Sequence, residues 1–297
     1  MDLVWTLLGI ALVALALRDI FDVLFHPRGR GMVARAVVRV VSRLTRGLAP
    51  EARAPRLLAG PLGYVSVIAT WAALLAVGWA LVFWPQMPDG FTFGPGLQPG
   101  DHSGFLDALY VSLVNLTSLG YGDIAPATPL LRLLGPIETM FGLGLLTASI
   151  SWLISIYSAI SRRDSLAHEV HLAREAEERL GEKIADADPE LLERLLASFA
   201  EQLIATRRDL IHFPITYYFS TEDEERALAG LLPFLSSLVA EASEESRPHA
   251  LRVRAEMLRT AIDDFAETLR VRLRMPGEST DDTLEHYQRE HGRRSAV

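Results

Sequence analysis

Between Leu57 and Trp84 the chain runs for more than 20 residues without a charged side chain. A stretch that long and that apolar is enough to cross ~30 Å of hydrocarbon, so the chain around it is committed to a membrane. A second such segment, Leu133 to Ile160, holds one acid, Glu138, near its start. A shorter one opens the sequence: its clean apolar part, Leu3 to Leu17, ends at Arg18, Asp19 and Asp22. No basic region precedes that run and no small-residue cleavage site follows it. It therefore reads as a membrane helix with a charged inner end rather than a secretory signal.

Composition sharpens this division. Of 297 residues 49% are apolar and 22% charged, and both fit one chain only because they are segregated. Downstream of Arg162 the sequence is rich in Glu, Asp and Arg, so the net charge of −8 averages two unlike halves. No basic stripe interleaved with aromatics appears in the second half, which argues against a nucleic-acid partner. The absence of cysteine excludes disulfides and thiolate metal sites.

Eight arginines, Arg28, Arg30, Arg35, Arg39, Arg43, Arg46, Arg53 and Arg56, separate the first two apolar segments, whereas only Arg132 separates the second and third. Basic residues in short loops set orientation. The arginine-rich loop is thus expected in the cytoplasm, the N-terminus outside and the second half inside, as Arg162 and Arg163 also require. Arg35, Arg39 and Arg43 recur every four residues among Val33, Val37, Val40, Val41 and Leu44, the pattern of an interfacial amphipathic helix. Asp19, Asp22 and His26 are expected to sit with Arg18 at the inner interface as a snorkelled ion pair, the alternative being a proton- or voltage-sensitive element.

Residues 101–128 read DHSGFLDALYVSLVNLTSLGYGDIAPAT. Phe105 to Thr117 lacks Gly and Pro and predicts a helix of about three turns, too short to span a bilayer. The chain then enters the membrane from outside, makes a half-helix and returns as irregular backbone, which is tolerated there only in a protein interior or along a water-filled path. Gly120 and Gly122 permit dihedrals that side chains resist, so successive carbonyls can face one axis. Rings of carbonyls replace the hydration shell of a cation. The Ser118 hydroxyl can complete the innermost ring, Tyr121 braces the loop from behind, and the half-helix C-terminus adds partial negative charge.

Thr117-Ser118-Leu119-Gly120-Tyr121-Gly122-Asp123 resembles the signature of the pore-loop potassium channel family, in which threonine stands in place of Ser118 and valine or isoleucine in place of Leu119. The resemblance covers residues 57–162 and is nearest to the bacterial two-transmembrane channels. It implies an all-α membrane protein with outer helix 57–84, pore helix 105–117, selectivity filter 118–123 and inner helix 133–160. Four copies would surround the pore, with K+ at carbonyls of Ser118, Leu119, Gly120 and Tyr121 as permeant ion and no cofactor. By the same resemblance Tyr110 and Asp123 stiffen the filter from behind. Where some relatives carry an acid on the pore helix this chain has Val114, and Glu138 is a second candidate for filter support. Gly142 and Gly144 are candidates for a gating hinge, or else small residues for helix packing. Leu153, Tyr157 and Ile160 are candidates for an inner gate.

The remaining chain divides into an N-terminal transmembrane helix (1–26), a basic linker (27–56), a helical cytoplasmic domain (163–275) and a mobile polar tail (276–297). Asp188-Pro189-Glu190 starts one helix, with Leu191, Leu192, Leu195, Leu196, Phe199 and Leu203 on its buried face. Thr221 and Glu224 form a capping box before another, and Pro248 to Arg274 predicts a third. His168 and His171, three apart, have a spacing that can bind metal. The aromatic stretch 210–219 reads as core. No nucleophile–base pair, phosphate cradle or paired carboxylates suggest an enzyme. The expectation is a homotetrameric potassium channel in the cell membrane, gated through the inner helix and cytoplasmic domain, with room for an unidentified regulator. A non-selective cation channel and a non-conducting scaffold are the alternatives.

Overall fold

The computed structural model describes residues 2–24, 31–48, 53–219 and 227–291, with backbone alone over 46–48 and 53–57. His26, Arg28, Arg30 and the Thr221–Glu224 capping box lie outside the described residues. Among those described, nine α-helices account for nearly all regular structure, and the chain divides into two compact units: Met1–Arg43 with Leu62–Ile154, and Leu44–Pro61 with Ser155–Val297.

The first unit is built on two antiparallel pairs of helices. Helix α1 (Asp2–Leu24) runs against α3 (Arg53–Phe83), with Trp5 beside Trp84 at 5.3 Å between ring centroids. Gly9 and Gly78 meet so closely that a Cβ on the first would overlap the backbone of the second. Small residues that let helix backbones touch are how membrane helices gain contact where lipid offers no hydrophobic drive. Helix α5 (Pro129–Leu180) packs its first part on α3. There Tyr64 donates to Ser149 O at 2.6 Å, and Trp152 lies 5.1 Å from Tyr64 and 5.6 Å from Trp71. Among the described residues two stretches are long and apolar enough to cross a membrane, Leu58–Gln86 and Pro129–Leu180. The apolar run of α1, interrupted at Arg18, is the shorter one read from sequence.

Helix α2 (Met32–Leu48) occupies the basic linker, and its start corrects the expectation for Asp19. That residue is only 3% exposed. Its carboxylate accepts from Val33 N at 2.8 Å, from Ala34 N at 3.0 Å and from Trp71 Nε1 at 2.9 Å. It caps α2 from another helix and anchors it to α3, while Arg18 pairs loosely with Asp22 at 3.8 Å. Three donors satisfy a buried charge where one exposed arginine would not. Asp19→Ala leaves those donors unpaired in an apolar setting, and is expected to cost about 3 kcal/mol, read from thermal unfolding in detergent.

In the second unit α5 continues without a break past Arg162 and Arg163 to Leu180. The inner helix therefore does not end at residue 160. Charges at 162–164 change which solvent the helix faces but give no stop signal, since neither Gly nor Pro follows until Gly181. Leu166, Ala167, Val170 and Ala173 on this extension are buried with α6 (Pro189–His212), α7 (Leu228–Ala242) and α8 (His249–Leu273) in one core. Asp188 caps α6, accepting from Glu190 N at 3.0 Å. Arg162 donates to Asp209 at 2.7 Å, a bond that holds its guanidinium above the usual arginine range.

The polar tail is also corrected. Thr280–His291 forms α9, and its Leu284 and Tyr287 are buried in the same core. Two apolar residues three apart are enough to seat one face of a short helix. His168 is exposed and His171 half-buried; among the described residues no third His, Asp or Glu joins them.

Candidate pore loop

The pore loop lies wholly in the first unit. Helix α4 (Phe105–Leu116) begins where Asp107 accepts from Gly104 N at 3.1 Å and bonds His102 at 2.8 Å. An acid in the first turn satisfies an orphan N–H and meets the positive end of the helix dipole. The helix ends at Thr117, whose hydroxyl returns to Leu113 O at 2.6 Å. Ala108, Val111, Ser112, Val114 and Leu116 are buried. Among the described residues the only strand pair, missed from sequence, is Phe91–Phe93 (β1) with Ile124–Pro126 (β2), antiparallel with Phe93 opposite Ile124. Gly94 N also donates to Asp123 O at 2.7 Å. This pairing pins the chain as it leaves the loop.

Between helix and strand the backbone alternates. Ser118 has φ 60°, Gly120 φ 59° and Gly122 φ 76°, with Leu119 and Tyr121 between them in ordinary negative φ. Where left- and right-handed residues alternate, successive backbone N–H groups turn to the same side. Two of the three left-handed positions are glycines, for which that region costs nothing; Ser118 adopts it with a side chain. Leu119 and Tyr121 are 57% and 68% exposed in the single chain.

Two sets of side chains hold this loop. At its C-terminal end Tyr110 Oη donates to Asp123 Oδ2 at 2.6 Å, and Asp123 Oδ1 accepts from Ile124 N at 3.1 Å. Before its N-terminal end, residues of α5 grip the last turns of α4. Glu138 is fully buried and hydrogen-bonded to Ser112 and, at 3.0 Å, to Asn115 Nδ2. Thr139 Oγ1 donates to Asn115 O at 2.9 Å. Gly142 stands so close to Leu116 that a Cβ there would overlap its carbonyl. Val114 is buried and apolar, and the acid that bonds α4 comes from α5. Thr139 escaped the sequence reading because its role depends on this tertiary contact.

The other predicted residues are dispersed along α5. Gly144 has open space where a Cβ would stand. Tyr157 is exposed, while Leu153 and Ile160 are half-buried. Met140, Leu143, Leu146, Ile150 and Ile154 are all more than half exposed and, spaced three or four apart, form one apolar stripe down the helix.

A short helix that stops half way, a return in alternating backbone and two flanking apolar helices define a pore-loop membrane protein. Residues 65–159 match the ion channel family, so this chain carries an ion channel domain. Over 276 residues, 91% of this chain and 79% of the other, it is 26% identical to the uncharacterized membrane protein YdjJ of Bacillus subtilis (strain 168). It is 36% identical over 84 residues to two pore potassium channel c of Oryza sativa subsp. japonica, 28% of this chain and 17% of that one. It is 38% identical over 50 residues to two-pore potassium channel 5 of Arabidopsis thaliana, 17% of this chain and 12% of that one. No solved structure matches the chain.

Proposed function

We propose that the chain is one of four identical subunits of a potassium-selective channel, conducting passively through Thr117 to Asp123. The observation that carries this reading is the alternation of left-handed residues at 118, 120 and 122. It supports a reading in which the carbonyls of Ser118, Leu119, Gly120 and Tyr121 share one side and form the ligand set for a dehydrated monovalent cation. The similarity of part of this chain to proteins named as two-pore potassium channels in Oryza sativa and Arabidopsis thaliana favours potassium. In this reading Leu119, Tyr121 and the α5 stripe from Met140 to Ile154 become buried between subunits or line the pore. Tyr110 and Glu138 are positioning residues: Tyr110 ties Asp123 to α4, Glu138 ties the last turns of α4 to α5, and neither contacts the ion.

The N-terminus faces outward and the α5–α9 bundle lies in the cytoplasm, following the arginine count of the linker. The bundle is built directly on the extension of α5. Any regulator that rearranges it therefore acts on the helix carrying Tyr157, the exposed candidate for an inner constriction.

The test is a reversal potential in reconstituted bilayers, potassium on one side and sodium on the other. The expected value lies near the potassium equilibrium potential. Robust current reversing near zero would favour a non-selective cation pore, which Ser118 and Leu119 make the second reading. Absence of current from both the full chain and a form truncated after Arg163 would favour the non-conducting scaffold.

A further inference from the structure

Helix α2 presents three stripes with different fates. Ala34, Val38 and Ser42 are buried, and Val38 lies against Gly63 of α3. Arg35, Arg39 and Arg43, one turn apart, form a second, exposed stripe. Arg35 is tied to its own helix start by a bond to Gly31 O at 2.9 Å. Among the described residues neither Arg39 nor Arg43 forms an ion pair. Met32, Ala36 and Val40 form the third stripe, with Met32 66% and Val40 54% exposed. A helix in water would gain by hiding that third stripe. A basic stripe directly beside an exposed apolar one suits the boundary between headgroups and acyl chains, where each meets its own solvent.

We propose that the Arg35–Arg39–Arg43 face of α2 binds anionic lipid headgroups of the cytoplasmic leaflet, and that Asp19 fastens this surface to the pore unit. The leaflet assignment rests on the topology given under Proposed function. The apolar stripe selects lipid over a free anion or an acidic peptide: neither of those would cover Met32 and Val40, whereas acyl chains do. Negative surface potential attracts each arginine held near the membrane.

Asp19 gives the surface a route to the pore. Its carboxylate holds the first N–H groups of α2 and the Trp71 indole. Trp71 lies against Trp152 of α5, one turn before Ile156 and Tyr157. A pull on α2 by headgroups therefore reaches the inner helix through two hydrogen-bonded contacts and one ring contact. Asp19 is a positioning residue in this scheme, touching neither lipid nor ion.

The test separates binding from conduction. Native mass spectrometry of the intact detergent-solubilised protein would compare retained phosphatidylglycerol with phosphatidylcholine. The wild type is expected to prefer phosphatidylglycerol. Arg39→Gln and Arg43→Gln are each expected to weaken that preference roughly fivefold, and the double variant roughly 25-fold. In vesicles, ion flux through the wild type is expected to rise with the phosphatidylglycerol fraction. Asp19→Asn, which keeps an acceptor oxygen, is expected to bind the lipid like wild type and to lose that dependence. No preference in the wild type, or an unchanged one in the double variant, overturns the lipid surface. No preference combined with salt-sensitive self-association would assign the arginines to an acidic segment of a second copy. A flux in Asp19→Asn that still follows phosphatidylglycerol overturns the coupling. Intact lipid preference without any flux would tell against the channel reading alone.

Discussion

Gly120→Ala is expected to carry no potassium flux in reconstituted vesicles while folding as the wild type does. Gly120 has φ 59° and open space around the place of a Cβ, so the lesion is one of backbone conformation rather than collision. A residue with a Cβ forced into the left-handed region loses roughly 1–2 kcal/mol, and in the proposed tetramer four copies multiply that to roughly 4–8 kcal/mol. Ser118 already occupies the same region with φ 60°, so the loop has strain built in at its inner end. The cheaper response for alanine is to rotate the adjoining peptide and turn one carbonyl out of each ring. A cation stripped of its water then meets an incomplete shell, and entry becomes unfavourable. The loop contributes none of the large buried residues of either unit, so the unfolding temperature in detergent should remain close to that of the wild type. Undiminished flux in the variant would remove the carbonyl-ring mechanism.

The parts of this molecule that were readable in advance are those specified locally. The charge-free run after Leu57 became α3, the Gly- and Pro-free stretch after Gly104 became α4, and Asp188-Pro189 marked the start of α6. The loop was legible because two glycines two apart, after a short apolar helix, leave few other conformations. What escaped was specified by partners distant in the chain. Nothing near Phe91 announces that it pairs with Pro126. Asp19 looked like half of a surface ion pair because its three donors come from residues 14 to 52 positions away. The change from apolar to charged sequence after Ile160 marks a change of solvent, and was read as the end of a helix that in fact continues. In α9 the excess of charge obscured Leu284 and Tyr287, although their spacing was visible. Ser118 gave no sign of its left-handed φ, since serine is not a residue that advertises it.

Gly142 was legible as an unusual glycine but not as to its purpose, and the two candidate roles predict different results for Gly142→Ala. If the residue serves as a hinge, alanine stiffens α5, leaves stability and ion preference intact, and changes only how often the pore opens. The packing favours the other outcome. The Cβ of alanine would overlap Leu116 O and approach Leu116 Cα, atoms of the last turn of α4 that cannot swing aside as a side chain end can. That turn is already gripped by Glu138 at Asn115 Nδ2 and by Thr139 at Asn115 O, so it can relieve the overlap only by shifting away from α5 and straining those bonds. Overpacking of this kind costs about 1–3 kcal/mol. Because Thr117 and Ser118 follow directly, the shift passes into the proposed filter. Gly142→Ala is therefore expected to lower the unfolding temperature in detergent and to move the potassium–sodium reversal potential toward zero. Gly144→Ala is the matched control: its Cβ meets nothing within 4 Å in the chain, and alanine improves helix propensity by about 1 kcal/mol. It should keep the reversal potential and hold or raise the unfolding temperature. A Gly142→Ala variant with wild-type stability and selectivity but altered opening would instead assign Gly142 to the hinge, and would show that α4 yields at Leu116 more readily than its hydrogen bonds suggest.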